Sequence, residues 1–180
     1  MNNNTFIHKY IKPLIGKTDT VVDMTAGNGN DTLFLAGLAG KVIAFDISQE
    51  ALRRSKEKTK DFDNIEFHHA SHGDVDLYVK KNEASLFIFN LGYLPGSDEK
   101  TFTQKDETLK AFRKAYGLLR KKGYIIITFY LRQIGGYDEY YLLDDFIKKN
   151  KLQILEAYHQ DKMDSPITYI IYKSQSSTDE

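Results

Sequence analysis

Short apolar runs alternate along the chain with stretches in which apolar and polar residues recur at helical spacing. The runs are rich in β-branched and aromatic residues and occupy positions 20–24, 41–47, 64–70, 85–90, 123–130, 152–160 and 167–174. The intervening stretches predict helices over 5–15, 29–38, 48–60, 73–82, 105–121 and 137–150. Continuous apolar strands that alternate with helices are typical of a parallel sheet covered on both faces.

The last two strands predict a different connection. Only "DKMDSP" separates them, whereas a parallel return needs about a dozen residues or more. We therefore predict an α/β fold, a three-layer, doubly wound, seven-stranded and mostly parallel sheet with a closing antiparallel hairpin. A single domain is expected over 1–180, with the tails "MNNN" and "SQSSTDE" frayed.

Composition narrows the function classes. The chain has 180 residues, with 25 Lys and Arg against 25 Asp and Glu, so no global field attracts it to nucleic acid or membrane. It has no cysteine, which excludes disulfides, thiolate catalysis and cysteine metal sites. We find no apolar run of signal-peptide or membrane-span length, and we expect a cytoplasmic protein without membrane partners.

The stretch "VVDMTAGNGNDT" at 21–32 predicts a strand, a glycine turn and a helix whose N-cap is Asn30 or Asp31. Glycines at such a turn let the backbone approach a ligand near the free N–H groups of the helix start. Many strand-to-helix turns carry two glycines for geometry alone. The candidate cofactor contacts in this loop are Thr25, Ala26, Gly27, Asn28, Gly29, Asn30, Asp31 and Thr32.

Two acids flank the loop. Asp23, at the end of the first strand, would favour a cationic ligand group. Asp46 can take both hydroxyls of a ribose, and the adjacent Ile47 is a further candidate cofactor contact. Asp46 has an alternative role as the cap of the next helix, which Ser48 could equally supply. A dinucleotide fingerprint would need a third glycine where Thr32 stands, so the acids favour S-adenosylmethionine over a pyrophosphate cofactor.

The loop resembles motif I of the class I methyltransferases, which share Asp23-x-x-x-Gly27-x-Gly29. At the end of the third strand, Ser71 or His72 could hydrogen-bond the adenine. His68 and His69 point to opposite faces of a strand, so we predict no metal site there.

The stretch "FIFNLGYLPG" at 87–96 follows, where class I methyltransferases act. It resembles the Asn/Asp-Pro-Pro-Tyr/Phe motif of amine-directed members. By that resemblance, Asn90 and the Leu91 carbonyl accept the amine hydrogens and Tyr93 stacks on the substrate base. Asn90 and Leu91 are also candidate cofactor contacts. Tyr93 could instead anchor the turn. Asp98 is a candidate base.

The segments "VVDMTAGNGNDTLFLA", "AFDIS", "SH" and "FNLGYLPGSD" resemble the bacterial YtqB-like family named "putative rRNA methylase", over about residues 19–130. The resemblance implies methyl transfer from S-adenosylmethionine to the amine of 5-aminomethyl-2-thiouridine at the tRNA wobble position. In "FYLRQIGGYDE" the chain lacks two histidines of the family, and Arg132 stands in that loop.

The expected partner is the anticodon arm of tRNA, with a homodimer as a way for a small enzyme to hold it. The basic residues predicted nearest to the cofactor edge are Lys9, Lys12, Lys17, Lys100 and Arg132. Two alternatives stay open at this point: N-methylation of a free small-molecule amine, and a nucleoside-binding module without catalysis.

Overall fold

Strands and helices alternate in the predicted order in a computed structural model that describes residues 2–92, 105–160 and 162–175. The elements are α1 (Asn3–Ile11), β1 (Thr20–Asp23), α2 (Asn30–Leu38), β2 (Lys41–Asp46), α3 (Gln49–Lys58), β3 (Ile65–His69), a 3₁₀ helix (His72–Leu77), β4 (Ala84–Asn90), α4 (Lys105–Leu118), β5 (Tyr124–Phe129), α5 (Gly136–Lys149), β6 (Gln153–His159) and β7 (Ile167–Tyr172). No helix in these ranges is both long and apolar enough to cross a membrane.

The strands form one seven-stranded sheet in the order β3-β2-β1-β4-β5-β7-β6. Strands β1 to β5 pair in parallel, and β7 pairs antiparallel with both β5 and β6. The predicted closing hairpin is therefore confirmed. The strand order reverses between β1 and β4, and ligands of such sheets bind at the carboxyl ends of the strands beside that reversal.

Both faces of the sheet are covered, as the continuous apolar strands predict. Phe87 and Phe89 of β4 pack into a core that includes residues of α4 and α5. Leu86 and Ile88, which point the other way, pack into a second core with residues of α1 and α2. The rigid layers on either side hold the ends of β1, β2 and β4 in place.

The amino-terminal end departs from the prediction. Helix α1 begins at Asn3, capped by Asn2, whose side chain accepts a hydrogen bond from the Thr5 amide at 2.8 Å. Asn3 is buried and accepts a hydrogen bond from the Thr168 hydroxyl at 2.7 Å. The expectation that residues 2–4 fray is thus wrong, because a long-range hydrogen bond ties Asn3 to β7 and Asn2 caps the helix. The helix ends at Ile11, shortly before Pro13, which has no amide hydrogen to continue it.

The helix predicted over 73–82 is also wrong in extent. A short 3₁₀ helix spans His72–Leu77, with Asp74 outside helical geometry at φ −105° and ψ 16°. The chain then turns through Asn82, whose φ is 63° and whose amide donates to the Leu118 carbonyl at 2.8 Å. A residue with positive φ cannot continue a helix.

Candidate active site

A cavity of about 440 Å³ opens at the carboxyl ends of β1, β2 and β4, beside the reversal of strand order. The glycine loop after β1 forms one wall. In this loop the Ala26 amide donates to the Phe45 carbonyl at 2.8 Å, which ties the loop to β2. The loop thus joins two neighbouring strands at the edge where ligands bind.

Gly29 is the residue before α2, with φ at 75° in the left-handed region. A Cβ atom at this position would lie 2.8 Å from the Cα of Ser55 in α3. Only glycine fits both the conformation and the space. The prediction that Asn30 or Asp31 caps α2 is therefore wrong, since the cap position is Gly29 and has no side chain.

Asp46 ends β2 and lines the cavity. Its carboxylate accepts hydrogen bonds from the amides of Gly27 and Ser48, both at 2.8 Å. The cap of α3 is Ser48, whose hydroxyl accepts from the Ala51 amide at 3.2 Å. Asp46 is thus not the helix cap. A carboxylate has about four acceptor sites, so it can still accept hydrogen bonds from ligand hydroxyls.

Asp23 lies below the glycine loop and not on the cavity wall. It is fully buried, and its carboxylate accepts from the Thr25 amide at 3.1 Å and from the Thr32 hydroxyl at 2.6 Å. Burial, and then the charge of Asp31, raise the pKa of Asp23 well above its ordinary value. The structure gives Asp23 an internal role, in which it and Thr32 fasten the loop to α2. The contact of Asp23 with a cationic ligand group stays a prediction.

Ser71 and His72 line the cavity beyond β3 together with Glu107 of α4. The Ser71 hydroxyl donates to the Glu107 carboxylate at 2.6 Å. His72 is 8% exposed, and burial lowers the pKa of its imidazole, which favours the neutral ring. Its Nε2 has no hydrogen-bond partner among the residues that the structure describes. This end of the cavity can therefore exchange hydrogen bonds with a heterocycle.

Asn90 ends β4 at the opposite side of the cavity. Its amide N–H donates to the Thr25 hydroxyl at 2.9 Å, and its side-chain nitrogen donates to Asp31 at 3.1 Å. The side-chain oxygen is buried without a partner in the described part of the chain. Asn90 therefore presents a free acceptor beside the cavity.

The comparisons with known proteins decide the family. The profile of the family described as "Putative rRNA methylase" matches residues 42–173. The chain belongs to this family. The predicted family and the class I methyltransferase fold are thereby confirmed.

Individual relatives with about one third of their residues identical are also methyltransferases or named as such. The "tRNA (mnm(5)s(2)U34)-methyltransferase, chloroplastic" of Arabidopsis thaliana is 31% identical over 154 residues, which is 77% of this chain and 56% of that protein. The chain thus spans a little over half the length of this curated relative. A "putative rRNA-methylase" from Clostridium thermocellum is 33% identical, with a TM-score of 0.87 and coverage of 96% and 98% of the two chains.

A "putative methyltransferase" from Streptococcus mutans, solved with SAH, is 29% identical with a TM-score of 0.84 and coverage of 95% and 97%. At the level of the family, these relatives confirm both the predicted enzyme class, a methyltransferase, and the predicted methyl donor, S-adenosylmethionine.

Most of the predicted site residues of this family member meet at one cavity. Those that line it are Thr25, Ala26, Gly27, Asn28, Asn30, Asp31, Asp46, Ile47, Ser71, His72 and Asn90. Four others pack behind the wall: Asp23, Gly29, Thr32 and Leu91. The Leu91 side chain is buried in the core with Phe89, and its amide donates to the Thr128 carbonyl of β5 at 3.1 Å. Tyr93, Asp98 and Lys100 lie outside the described residues.

Several lining residues have no counterpart in the predictions. Beside the heterocycle end these are Met24, Ser48, Ala70 and Glu107. Beside Asn90 they are Asn4, Gly92, Tyr130 and Gln133. Tyr130 and Gln133 follow β5, so the strand-end rule that indicates Asn90 applies to them equally. The prediction that Lys17 lies near the cofactor edge is wrong. Lys17 precedes β1, at the opposite edge of the sheet, and its Nζ donates to the Gly37 carbonyl at 3.1 Å.

His68 and His69 do not reach the cavity. The His68 ring packs against Phe45 and Tyr78, and the His69 ring bonds the Ile47 carbonyl at 3.0 Å. Among the described residues, no group of three or more His, Asp and Glu side chains is arranged to hold a metal.

Proposed function

We propose that the protein transfers a methyl group from S-adenosylmethionine to the primary amine of 5-aminomethyl-2-thiouridine at the wobble position of tRNA. The observation that carries the proposal is the buried side-chain oxygen of Asn90, without a partner in the described chain and beside the cavity. An amide oxygen accepts a hydrogen from an amine and leaves the nitrogen lone pair free to react. The Arabidopsis relative, a tRNA (mnm(5)s(2)U34)-methyltransferase, supports the choice of this nucleoside.

The cavity residues fit the cofactor. Asp46 has acceptor sites left for the two ribose hydroxyls, and the glycine loop brings the backbone of Gly27 and Asn28 to the cavity wall. The unpaired Nε2 of His72 and the carboxylate of Glu107 offer hydrogen-bonding groups for the adenine. An orphaned buried polar atom is costly unless a ligand or water satisfies it.

Asn90 would position the substrate amine for methyl transfer. When bound, S-adenosylmethionine would supply a methyl group on a sulfonium: the amine nitrogen would take the methyl carbon, sulfur would keep the electron pair of the broken carbon–sulfur bond, and the methylated nitrogen would then release a proton to water. The amine must be neutral to react, and an alkylamine has a reference pKa of about 10.4. Burial in the cavity disfavours its charged form. Alignment by Asn90 then contributes to a positioning effect that can reach roughly 7–11 kcal/mol.

The RNA substrate is supported by cations beside the glycine loop. Arg54 of α3 donates to the Asn28 side chain at 3.5 Å, and Lys58 donates to Asn30 at 2.5 Å. Asn28 and Asn30 both line the cavity, so Lys58 and Arg54, which also pairs with Glu50 at 3.0 Å, are close enough to the cavity to contact phosphate groups of a bound RNA. We further propose the anticodon arm as the bound part of the tRNA and a homodimer as the form that holds it, in the cytoplasm.

The proposal is tested by mass spectrometry of wobble nucleosides. Transfer RNA that carries 5-aminomethyl-2-thiouridine is incubated with the protein and S-adenosylmethionine, then digested. We expect the 5-aminomethyl-2-thiouridine peak to be replaced by one heavier by a methyl group. Transfer RNA without the aminomethyl group is the matched control and should gain no methyl at that position. An unchanged peak, with methylation of a small free amine in parallel, would refute the RNA substrate and keep the chemistry.

A further inference from the structure

Three side chains from distant parts of the sequence form a hydrogen-bonded chain that ends at the cavity. The ring Nε2 of His8, in α1, lies 2.9 Å from one oxygen of the Asp31 carboxylate in α2. The other oxygen of Asp31 accepts from the Asn90 side-chain nitrogen at 3.1 Å. Asp31 is 7% exposed and lines the cavity next to Asn90.

His8 is held in place independently of Asp31. Its ring stacks on Phe34 of α2, with the two ring centres 3.8 Å apart and the planes at 1°. The stacking fixes the plane of the imidazole, and the hydrogen bond to Asp31 then fixes the carboxylate. Two helices therefore cooperate to hold one acid at the end of β4.

This acid decides which way the Asn90 amide faces. The oxygen and nitrogen of an amide have nearly the same shape, so packing alone does not orient them. Tyr130 lines the cavity with Asn90, but a hydroxyl can donate or accept and so does not by itself orient the amide. An ionised carboxylate accepts only, so the nitrogen of Asn90 must face Asp31 and the oxygen must face away from it.

We propose that Asp31, held by His8, is a positioning residue that turns the Asn90 oxygen towards the substrate amine. This inference rests on the proposed N-methylation and names the residues that orient its acceptor. Without Asp31, the Asn90 nitrogen has no charged acceptor and the amide can present its N–H groups to the amine. The N–H groups of Asn90 then face the N–H groups of the amine, and the lone pair of the amine nitrogen is no longer directed at the methyl group.

The test compares two replacements at one position. Asp31→Leu removes the acceptor, whereas Asp31→Asn keeps a neutral oxygen that can still accept from Asn90. Both are assayed for kcat with the aminomethyl-carrying tRNA and S-adenosylmethionine at saturation, so that weaker cofactor binding does not affect the comparison. We expect kcat to fall about ten- to a hundredfold in Asp31→Leu, the loss of one charge-assisted hydrogen bond. Asp31→Asn should have a kcat between those of Asp31→Leu and the wild type, because its amide oxygen can accept from Asn90 but its amide nitrogen can face Asn90 as well.

Two further variants test the role of His8 and control for the loss of an acid elsewhere. His8→Phe keeps the stacking on Phe34 but loses the bond to Asp31, and we expect a several-fold fall in kcat. Asp145→Leu, at an acid of α5 whose side chain is 56% exposed, is the matched control and should leave kcat unchanged. Thermal melting of each variant shows whether it is folded.

Distinct outcomes overturn distinct statements. A wild-type protein that does not methylate the tRNA refutes the proposed function. With an active wild type, a normal kcat in Asp31→Leu refutes the positioning role. An Asp31→Asn variant as slow as Asp31→Leu refutes it as well, because an acceptor oxygen at position 31 would then not help to orient Asn90. If Asp31→Leu does not fold, Asp31→Asn and His8→Phe decide alone, and normal kcat in His8→Phe contradicts the role given to His8.

Discussion

The Asp46 carboxylate accepts a hydrogen bond from the Gly27 amide at 2.8 Å, which ties the end of β2 to the glycine loop after β1. The same carboxylate accepts from the Ser48 amide at 2.8 Å. Hydrogen bonds from two backbone amides fix the plane of the carboxylate at the cavity wall. Asp46 therefore orients the loop, and it is also the acid available to the ribose hydroxyls.

Two replacements of Asp46 should weaken cofactor binding to different extents. Asp46→Ala removes all acceptors, and we expect the Kd for S-adenosylmethionine to rise about ten- to a hundredfold, since hydrogen bonds to a charged group contribute about 1.5–3 kcal/mol. Asp46→Asn keeps one oxygen and should have an intermediate Kd. Isothermal titration calorimetry measures both. Glu57→Ala, at a side chain 72% exposed, is the control. An Asp46→Ala Kd within twofold of the wild type would contradict the assignment.

Glycine at position 29 is predicted to be required for space and conformation. In Gly29→Ala, the methyl group would lie 2.8 Å from the Ser55 Cα at a φ of 75°, and backbone cannot move as cheaply as a side chain. We expect the free energy of unfolding to fall by about 1–3 kcal/mol, measured by urea titration.

Gly37→Ala is the matched control for Gly29→Ala. Gly37 lies in α2 with nothing within 4 Å of an added Cβ, and alanine is the better helix former. This variant should gain about 0.5–1 kcal/mol. Equal effects at the two positions would show that Gly29 has no special role.

The sequence predicts the strands well, because their apolar runs need burial on both faces, and the carboxyl ends of parallel strands must meet at one edge. The sequence does not show that Asp23 is buried while Asp46 lines the cavity. Both end a strand before a turn, but Asp23 turns under the loop to Thr32 and Asp46 faces the cavity. Once a chain leaves a regular strand, the alternation of faces no longer applies.

Residues that reach the cavity through tertiary packing leave no local pattern. Glu107 meets Ser71 across 36 positions because α4 packs against the 3₁₀ helix. Asn4 lines the cavity because its neighbour Asn3 bonds Thr168, 165 positions away. Neither contact has a sequence spacing that could be read in advance.

The buried acid Glu139 of α5 predicts a pH-dependent stability. It is 6% exposed, and burial raises its pKa to about 7 from an ordinary 4.5, despite a hydrogen bond from Thr108 at 2.5 Å. Between these two values the folded state binds a proton that the unfolded state has lost. Stability therefore falls as pH rises from about 4.5 to about 7 and is level above that range.

Glu139→Gln removes this titration but keeps an oxygen for Thr108. We expect the variant to be close to the wild type at about pH 5 and more stable by about 1–3 kcal/mol at about pH 8.5, measured by urea titration at both values. The control is Asp138→Asn, at the neighbouring acid whose side chain is 71% exposed. The same difference in unfolding free energy at both pH values would be incompatible with a raised pKa at Glu139.

Removal of the Asn90 side chain should separate binding from turnover. The oxygen of Asn90 has no partner in the described chain, and its backbone N–H, which bonds Thr25, stays in Asn90→Ala. We therefore expect the Kd for S-adenosylmethionine to change less than about threefold, while kcat falls at least about a hundredfold, the loss typical of one positioned hydrogen-bonding group in an active site. Calorimetry gives the first quantity and methyl transfer to tRNA the second. Asn150→Ala, at an exposed asparagine that bonds the Phe146 carbonyl at the end of α5, is the control. If turnover in Asn90→Ala is normal, the amine is held by another group and Asn90 only closes β4.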